Sequence, residues 1–114
     1  MIESIAESLG KYMDVLAARQ KVVSSNIANA DTPGYRTVDL DFQHEFQSLL
    51  DGQAAPGKPS EVTGLRINND GNNVNLDRES RLLAENAIRF SVASNLAREQ
   101  IKMVKAAIQD GQGA

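Results

Sequence analysis

One histidine, two closely spaced aspartates and an asparagine-rich acidic turn are the places where this chain could do chemistry. His44 is the only histidine, and there is no cysteine. A general base or a metal ligand needs partners at suitable spacing, and His44 has none, so it reads as a surface or partly packed side chain. Asp39 and Asp41 stand two residues apart and could be cast as paired carboxylates. A solvated face or a subunit contact is the simpler reading. The stretch around Asp70-Gly71 fails the calcium-loop pattern: with Gly71 as the invariant glycine, Arg66 falls at the first ligand position. Phe90 could stack on a ligand, but it sits on an apolar stripe and reads as core packing. With no nucleophile–base set, phosphate-cradling glycine loop or metal cluster, the chain reads as a non-enzyme that carries no cofactor and takes no small-molecule substrate.

The elements that must position these residues are few. The chain has 114 residues, enough for one small domain. Twelve Lys and Arg stand against 15 Asp and Glu, a net charge of -3, which argues against nucleic acid as the main partner. Absence of cysteine excludes disulfides and thiolate metal sites. No apolar run approaches the ~20 residues of a membrane span. Met1-Ile2-Glu3-Ser4-Ile5 lacks the basic start and apolar core of a cleaved signal peptide, so any export is expected by another route. Aromatics are 4% with no Trp, which points to a modest core.

Ile2, Leu9, Leu16, Val23 and Ala30 recur every seven residues, with Ile5, Tyr12, Met13 and Ile27 widening the stripe. This predicts a helix from about residue 2 to about 29, roughly 40 Å long, which needs a partner helix to cover its stripe. The helix meets a junction, Ser24 to Tyr35. Asn29 is expected in the left-handed region at the helix end. Thr32-Pro33-Gly34-Tyr35 has the type II turn pattern. Residues 41–50 suggest a short amphipathic helix. Residues 51–64 read as a flexible linker. Asp70-Gly71 marks a small hairpin or a structured turn. A second long helix is expected over about 77–109, with Asp77 as its N-cap and Gly111 and Gly113 ending it. Its stripe runs through Leu83, Ala87, Phe90, Ser94, Ala97, Ile101, Val104 and Ile108. The expected architecture is mainly α. Two long terminal amphipathic helices pair as an antiparallel, coiled-coil-like hairpin around a short irregular or small β-containing middle segment. The divisions fall at 1–35, 36–76 and 77–114, the first and last forming one assembly domain.

Val22-Val23-Ser24-Ser25-Asn26-Ile27-Ala28-Asn29-Ala30-Asp31-Thr32-Pro33-Gly34-Tyr35 resembles the N-terminal motif of the bacterial flagellar rod, hook and hook-associated axial proteins. Asn26, Ile27, Ala28 and Asn29 form the motif's core. Asp39-Leu40-Asp41-Phe42, then Asp70 to Glu79, then Ala84-Glu85-Asn86-Ala87-Ile88-Arg89-Phe90 narrow the match to the basal-body rod proteins. The resemblance covers most of the chain except about 51–64, where rod proteins of this type usually carry a longer middle.

The resemblance implies a structural subunit of the proximal rod. It implies polymerisation through the terminal helices, torque transmission and part of an export channel wall, in the periplasmic space. It further implies export through the flagellar type III apparatus. Its implied partners are further copies, other rod proteins, and the basal-body adaptor and membrane ring. Alternatives are another rod or hook-type axial protein, or a soluble helical-hairpin adaptor or export chaperone. The residues expected at subunit contacts are Asn26, Ile27, Asn29, Asp31, Pro33, Gly34 and Tyr35 at the junction, and Leu83, Phe90, Ile101 and Val104 on the second stripe.

Overall fold

The first helix, α1 (Ile2–Ala28), follows the seven-residue apolar repeat to the junction. The structure, a computed structural model, describes residues 2–53 and 55–113, with side chains described over 5–53 and 55–111, so the Ile2 side chain of the repeat lies outside the described residues. Leu16 and Val23 of the repeat are fully buried, as is Val15, which stands one position off the stripe. Its burial reflects a second packed face: α1 touches both the middle segment and the C-terminal helix.

The chain then forms a short strand, β1 (Val38–Asp39), a helix, α2 (Phe42–Leu50), a second strand, β2 (Ser60–Glu61), and a long helix, α3 (Leu76–Gly113). The two strands pair antiparallel, with Val38 opposite Glu61 and Asp39 opposite Ser60. Thus part of the stretch that reads as a linker is a strand, and the Gly57 N–H donates to Glu45 Oε2 at 2.6 Å. Asp41 caps α2: its Oδ1 accepts from the His44 N–H at 3.2 Å. The helix stops where Gly52 takes φ 108°. Tyr12 of α1 meets Phe42 and Phe46 of α2 edge-on, with ring centroids 5.2 and 5.4 Å apart, which anchors α2 on α1.

Asp70-Gly71 is a structured turn: the Asn68 N–H donates to Asn72 O at 2.8 Å and the Gly71 N–H to Asn68 O at 2.9 Å. The α3 start departs from the expected one. The helix begins at Leu76 and Asn75 is the cap, its Oδ1 accepting from the Arg78 N–H at 3.0 Å, so Asp77 is already inside the first turn. Asn75 wins because its amide oxygen reaches the third residue beyond it, the geometry an N-cap requires. At the other end Gly111 does not stop α3, which continues to Gly113. A glycine weakens a helix by about 1 kcal/mol but does not forbid it.

Contacts between α1 and α3 run in order. Asn26 bonds Glu79, Leu16 and Gln20 bond Asn86, and Tyr12 meets Arg89. The molecule is elongated, 72 × 25 × 17 Å. No described helix is long and apolar enough to cross a membrane.

Candidate assembly interface

The junction is held by a buried polar cluster with Asn26 at its centre. Asn26 is 0% exposed, in the last turns of α1. Its Nδ2 donates to Val38 O at 2.8 Å and to Glu79 Oε2 at 3.2 Å. Its Oδ1 accepts from the Tyr35 hydroxyl at 2.8 Å and from the Val38 N–H at 3.3 Å. One amide thereby ties together α1, the turn, β1 and the first turn of α3. Asparagine is a weak helix former, and its place here follows from a side chain that both donates and accepts.

Glu79 is also 0% exposed. Burying a carboxylate is costly unless it is paired and hydrogen-bonded. Glu79 meets both conditions: Arg78 Nη1 donates to its Oε1 at 2.6 Å, and Asn26 holds its other oxygen. Its position in the first turn of α3 also suits the helix dipole. The same Arg78 donates through Nη2 to Asp39 Oδ2 at 2.8 Å. Arg19 reaches Asp39 from α1 with Nε to Oδ1 at 3.1 Å and Nη2 to Oδ2 at 3.0 Å, a bidentate pair. Asp39 is therefore neither on a solvated face nor free for a subunit contact, because two guanidiniums from α1 and α3 converge on it. Burial pushes the Asp39 carboxyl up, but the bond and charge of Arg19, the bond from Arg78 and the Leu40 N–H outweigh it and hold it below its usual 3.8.

The turn itself packs on the Asp70-Gly71 loop. Gly34 takes φ 77°, as the third position of a type II turn requires, and the Tyr35 N–H donates to Thr32 O at 3.2 Å. The Gly34 N–H donates to Asp70 O at 2.9 Å. A Cβ on Gly71 would stand 3.3 Å from Gly34 Cα, so the bare Gly71 lets the two backbones approach. Buried Asn72 donates to Asn29 O at 2.9 Å and Thr32 O at 2.8 Å, taking up carbonyls at the end of α1. Buried Asn73 accepts from the Thr37 N–H at 2.6 Å. No described non-glycine residue has positive φ, so Asn29 is not left-handed. Its side chain does the capping instead: Nδ2 donates to Ser25 O at 2.8 Å and Oδ1 accepts from Thr32 Oγ1 at 3.1 Å.

Of the junction residues singled out by the sequence, Asn26 is thus enclosed within the chain. Ile27, Asn29 and Tyr35 are half-buried, while Asp31, Pro33 and Gly34 are exposed. Arg19, Thr37, Asn72, Asn73, Arg78 and Glu79 were missed as members of the cluster. Their partners lie up to 53 positions away, a relation that local spacing does not encode.

On α3 the buried line is Glu79, Leu82, Asn86 and Ala93, rather than the stripe from Leu83 to Ile108. Asn86 Nδ2 donates to Leu16 O at 2.8 Å and to Gln20 Oε1 at 3.0 Å, which sets this rotation. Leu83 is half-buried, and Phe90, 39% exposed, is not a core residue of the chain. Ile101 and Val104 are exposed, as are Ile88, Val92, Leu96, Met103 and Ile108. Two apolar grooves flank the α1–α3 contact. One, of about 480 Å³, lies between Ile5, Leu9 and Tyr12 on α1 and Ile88, Val92 and Leu96 on α3. The other, about 460 Å³, lies between Leu16, Ala17 and Phe90. Among the described residues no three His, Asp or Glu side chains converge as a metal site.

The sequence model of a family described as "Flagella basal body rod protein" matches residues 13–36. Across the whole chain, the flagellar basal body rod protein FlgB of Escherichia coli (strain K12) is 30% identical over 122 aligned residues, covering 87% of this chain and 88% of that protein. The chain belongs to the FlgB family of flagellar basal body rod proteins. FlgB of Yersinia enterocolitica is 29% identical, covering 87% of this chain and 89% of that protein. FlgB of Borrelia hermsii is 28% identical, covering 87% and 91%. The family match spans the second half of α1 and the junction, the stretch that carries Arg19, Asn26 and Tyr35. The FlgB alignment with Escherichia coli runs to 122 positions against the 114 residues here, so that relative carries residues this chain lacks.

Proposed function

We propose that this chain is a structural subunit of the proximal rod of the flagellar basal body, completed by packing against its neighbours. The observation that carries this is the uncovered apolar surface of α3. Compact monomers of its 12.3 kDa expose about 6,100 Å², whereas this chain exposes 7749 Å². The excess, about 1,600 Å², follows from the elongated 72 × 25 × 17 Å shape, which leaves Ile88, Val92, Leu96, Ile101, Met103 and Ile108 on α3 each more than half exposed. Isolated helices are marginal in water, so an α3 end whose Ile101, Met103 and Ile108 are more than half exposed gains most of its stability from packing.

In this reading α1 and α3 pair as an antiparallel hairpin, supported by the order of their contacts, and the termini form one assembly domain. Leu83, Phe90, Ile101 and Val104 meet neighbouring subunits along α3. Ile27, Asn29, Asp31, Pro33, Gly34 and Tyr35 present the junction to them, and Asn26 holds that junction in shape from inside. The assembled helices line an export channel and carry torque. The subunit reaches the periplasmic rod through the flagellar export apparatus. Its neighbours are further copies, other rod proteins, the adaptor and the membrane ring. The test is to supply a tagged chain to cells lacking their own copy and isolate basal bodies. Restored motility with the tag in the rod supports the reading. A chain that remains soluble in the cytoplasm, bound to an export substrate, refutes it in favour of a chaperone.

A further inference from the structure

Helix α3 turns toward α1 a line that is poor in apolar side chains. Glu79, Asn86 and Ala93, spaced by seven, are buried on it, and among the described residues of α3 Leu82 is the only large apolar side chain buried with them. A more apolar face lies beside this line. At 100° per residue, Phe90 stands about 40° around the helix from Asn86, and Leu83 about 60° on the same side. Phe90 is nevertheless exposed and Leu83 only half-buried. On that flank the groove of about 460 Å³ separates Leu16 and Ala17 of α1 from Phe90, with Asn86 at its edge.

Apolar burial alone would turn α3 by about 40° and carry the Phe90 ring into this groove. The turn is opposed by one amide. Asn86 Nδ2 donates to the Leu16 carbonyl at 2.8 Å and to Gln20 Oε1 at 3.0 Å, and the carbonyl belongs to the α1 backbone and cannot follow a moving side chain. A buried amide stripped of these partners is costly. We propose that Asn86 is a positioning residue that locks the rotation of α3. It holds the setting that leaves Phe90 outside, against a second packing in which α3 is turned and Phe90 fills the groove.

The place of Asn86 on the line gives it this role. Glu79 sits in the first turn of α3, where the junction cluster already holds it. Asn86 stands seven residues on and is the last buried polar side chain on α3 among the described residues; past it the line continues as Ala93. A buried asparagine that selects one helix packing over a more apolar one gives up stability for a single defined arrangement. Under the rod reading the lock keeps Phe90 available for assembly. That purpose rests on the rod reading, whereas the choice between two packings is a property of the free chain.

The chain has no Trp, so a single introduced one reports its own surroundings. Phe90→Trp and Val92→Trp are each made with Asn86 kept and with Asn86→Leu, and fluorescence and acrylamide quenching are read on the free chain. Position 90 lies on the flank that turns in. Val92 lines the other groove, about 120° from Asn86 on the opposite side, and turns further out. The expected result of Asn86→Leu is a blue shift and weaker quenching at position 90, a red shift and stronger quenching at position 92, and unchanged helix content by circular dichroism. Opposite movements two residues apart report rotation, which general loosening does not produce. No shift at position 90, or shifts in the same direction at both, overturns the proposal. If Asn86→Leu does not fold, Asn86→Ala carries the same test, and unfolding of both overturns the proposal by showing that Asn86 holds one packing rather than choosing between two. The opposite shifts together with normal incorporation of Asn86→Leu into basal bodies keep the lock and refute its purpose in assembly. Failure of the unmodified chain to enter basal bodies refutes the rod reading and leaves the lock standing.

Discussion

Replacing Asn26 with Ala tests the junction most severely. The substitution removes four hydrogen bonds at once. Tyr35 is half-buried, so its hydroxyl can turn toward water. The Val38 N–H, the Val38 carbonyl and Glu79 Oε2 keep their positions and lose a partner. Each buried group left unsatisfied costs about 1–3 kcal/mol, and the three are coupled, so the expected loss is about 2–5 kcal/mol. That is a large share of the 5–15 kcal/mol typical of a domain. Tyr35→Phe removes one bond and leaves the Asn26 amide its other three, so it should cost about 0.5–1.5 kcal/mol. Urea unfolding of the free chain, followed by circular dichroism, measures both. A loss below about 0.5 kcal/mol for Asn26→Ala, the range of neutral surface changes, would show that this cluster does not hold the elbow.

Other substitutions separate shape from assembly. Gly34→Val should cost about 1–3 kcal/mol because its φ is 77°, while Gly34→Asn should cost less, since no atom lies within 4 Å of the new Cβ and only the backbone is strained; urea midpoints of the two variants decide this. Ile101→Asp should change the stability of the free chain by less than about 0.5 kcal/mol, since Ile101 is 57% exposed, yet abolish incorporation into basal bodies by burying an unpaired charge; incorporation at the normal level would show that this face stays wet. Asp39 has a lowered carboxyl value, so its pairing stabilises the fold fully above the ordinary 3.8 and the contribution is lost as pH falls through the lower folded value. Unfolding midpoints should fall below about pH 4 in the unmodified chain and fall less steeply in Asp39→Asn.

Both long helices, the short α2 and the Thr32–Tyr35 turn were legible because their signals are local: seven-residue spacing, the amphipathic run of Phe42, Phe46, Leu49 and Leu50, a Pro-Gly pair. Leu16 and Val23 were readable as core for the same reason. What stayed hidden was relational. Helical period places Leu83 and Phe90 on one face, but the Asn86 bonds to Leu16 and Gln20 turn a neighbouring face inward. Asp39 looks solvated until Arg19 and Arg78 arrive from elements 20 and 39 positions away. Asn29 has the residue type for a left-handed cap, yet Asn72 takes up its carbonyl and a glycine five positions later makes the bend.

Rod assembly should cover the exposed face of α3. Amide hydrogen exchange over residues 97–111, measured in the free chain and in isolated basal bodies, tests it directly. Exchange should be fast in the free chain and strongly slowed in the rod. Strong protection in the free chain, or equal exchange in both, would contradict it.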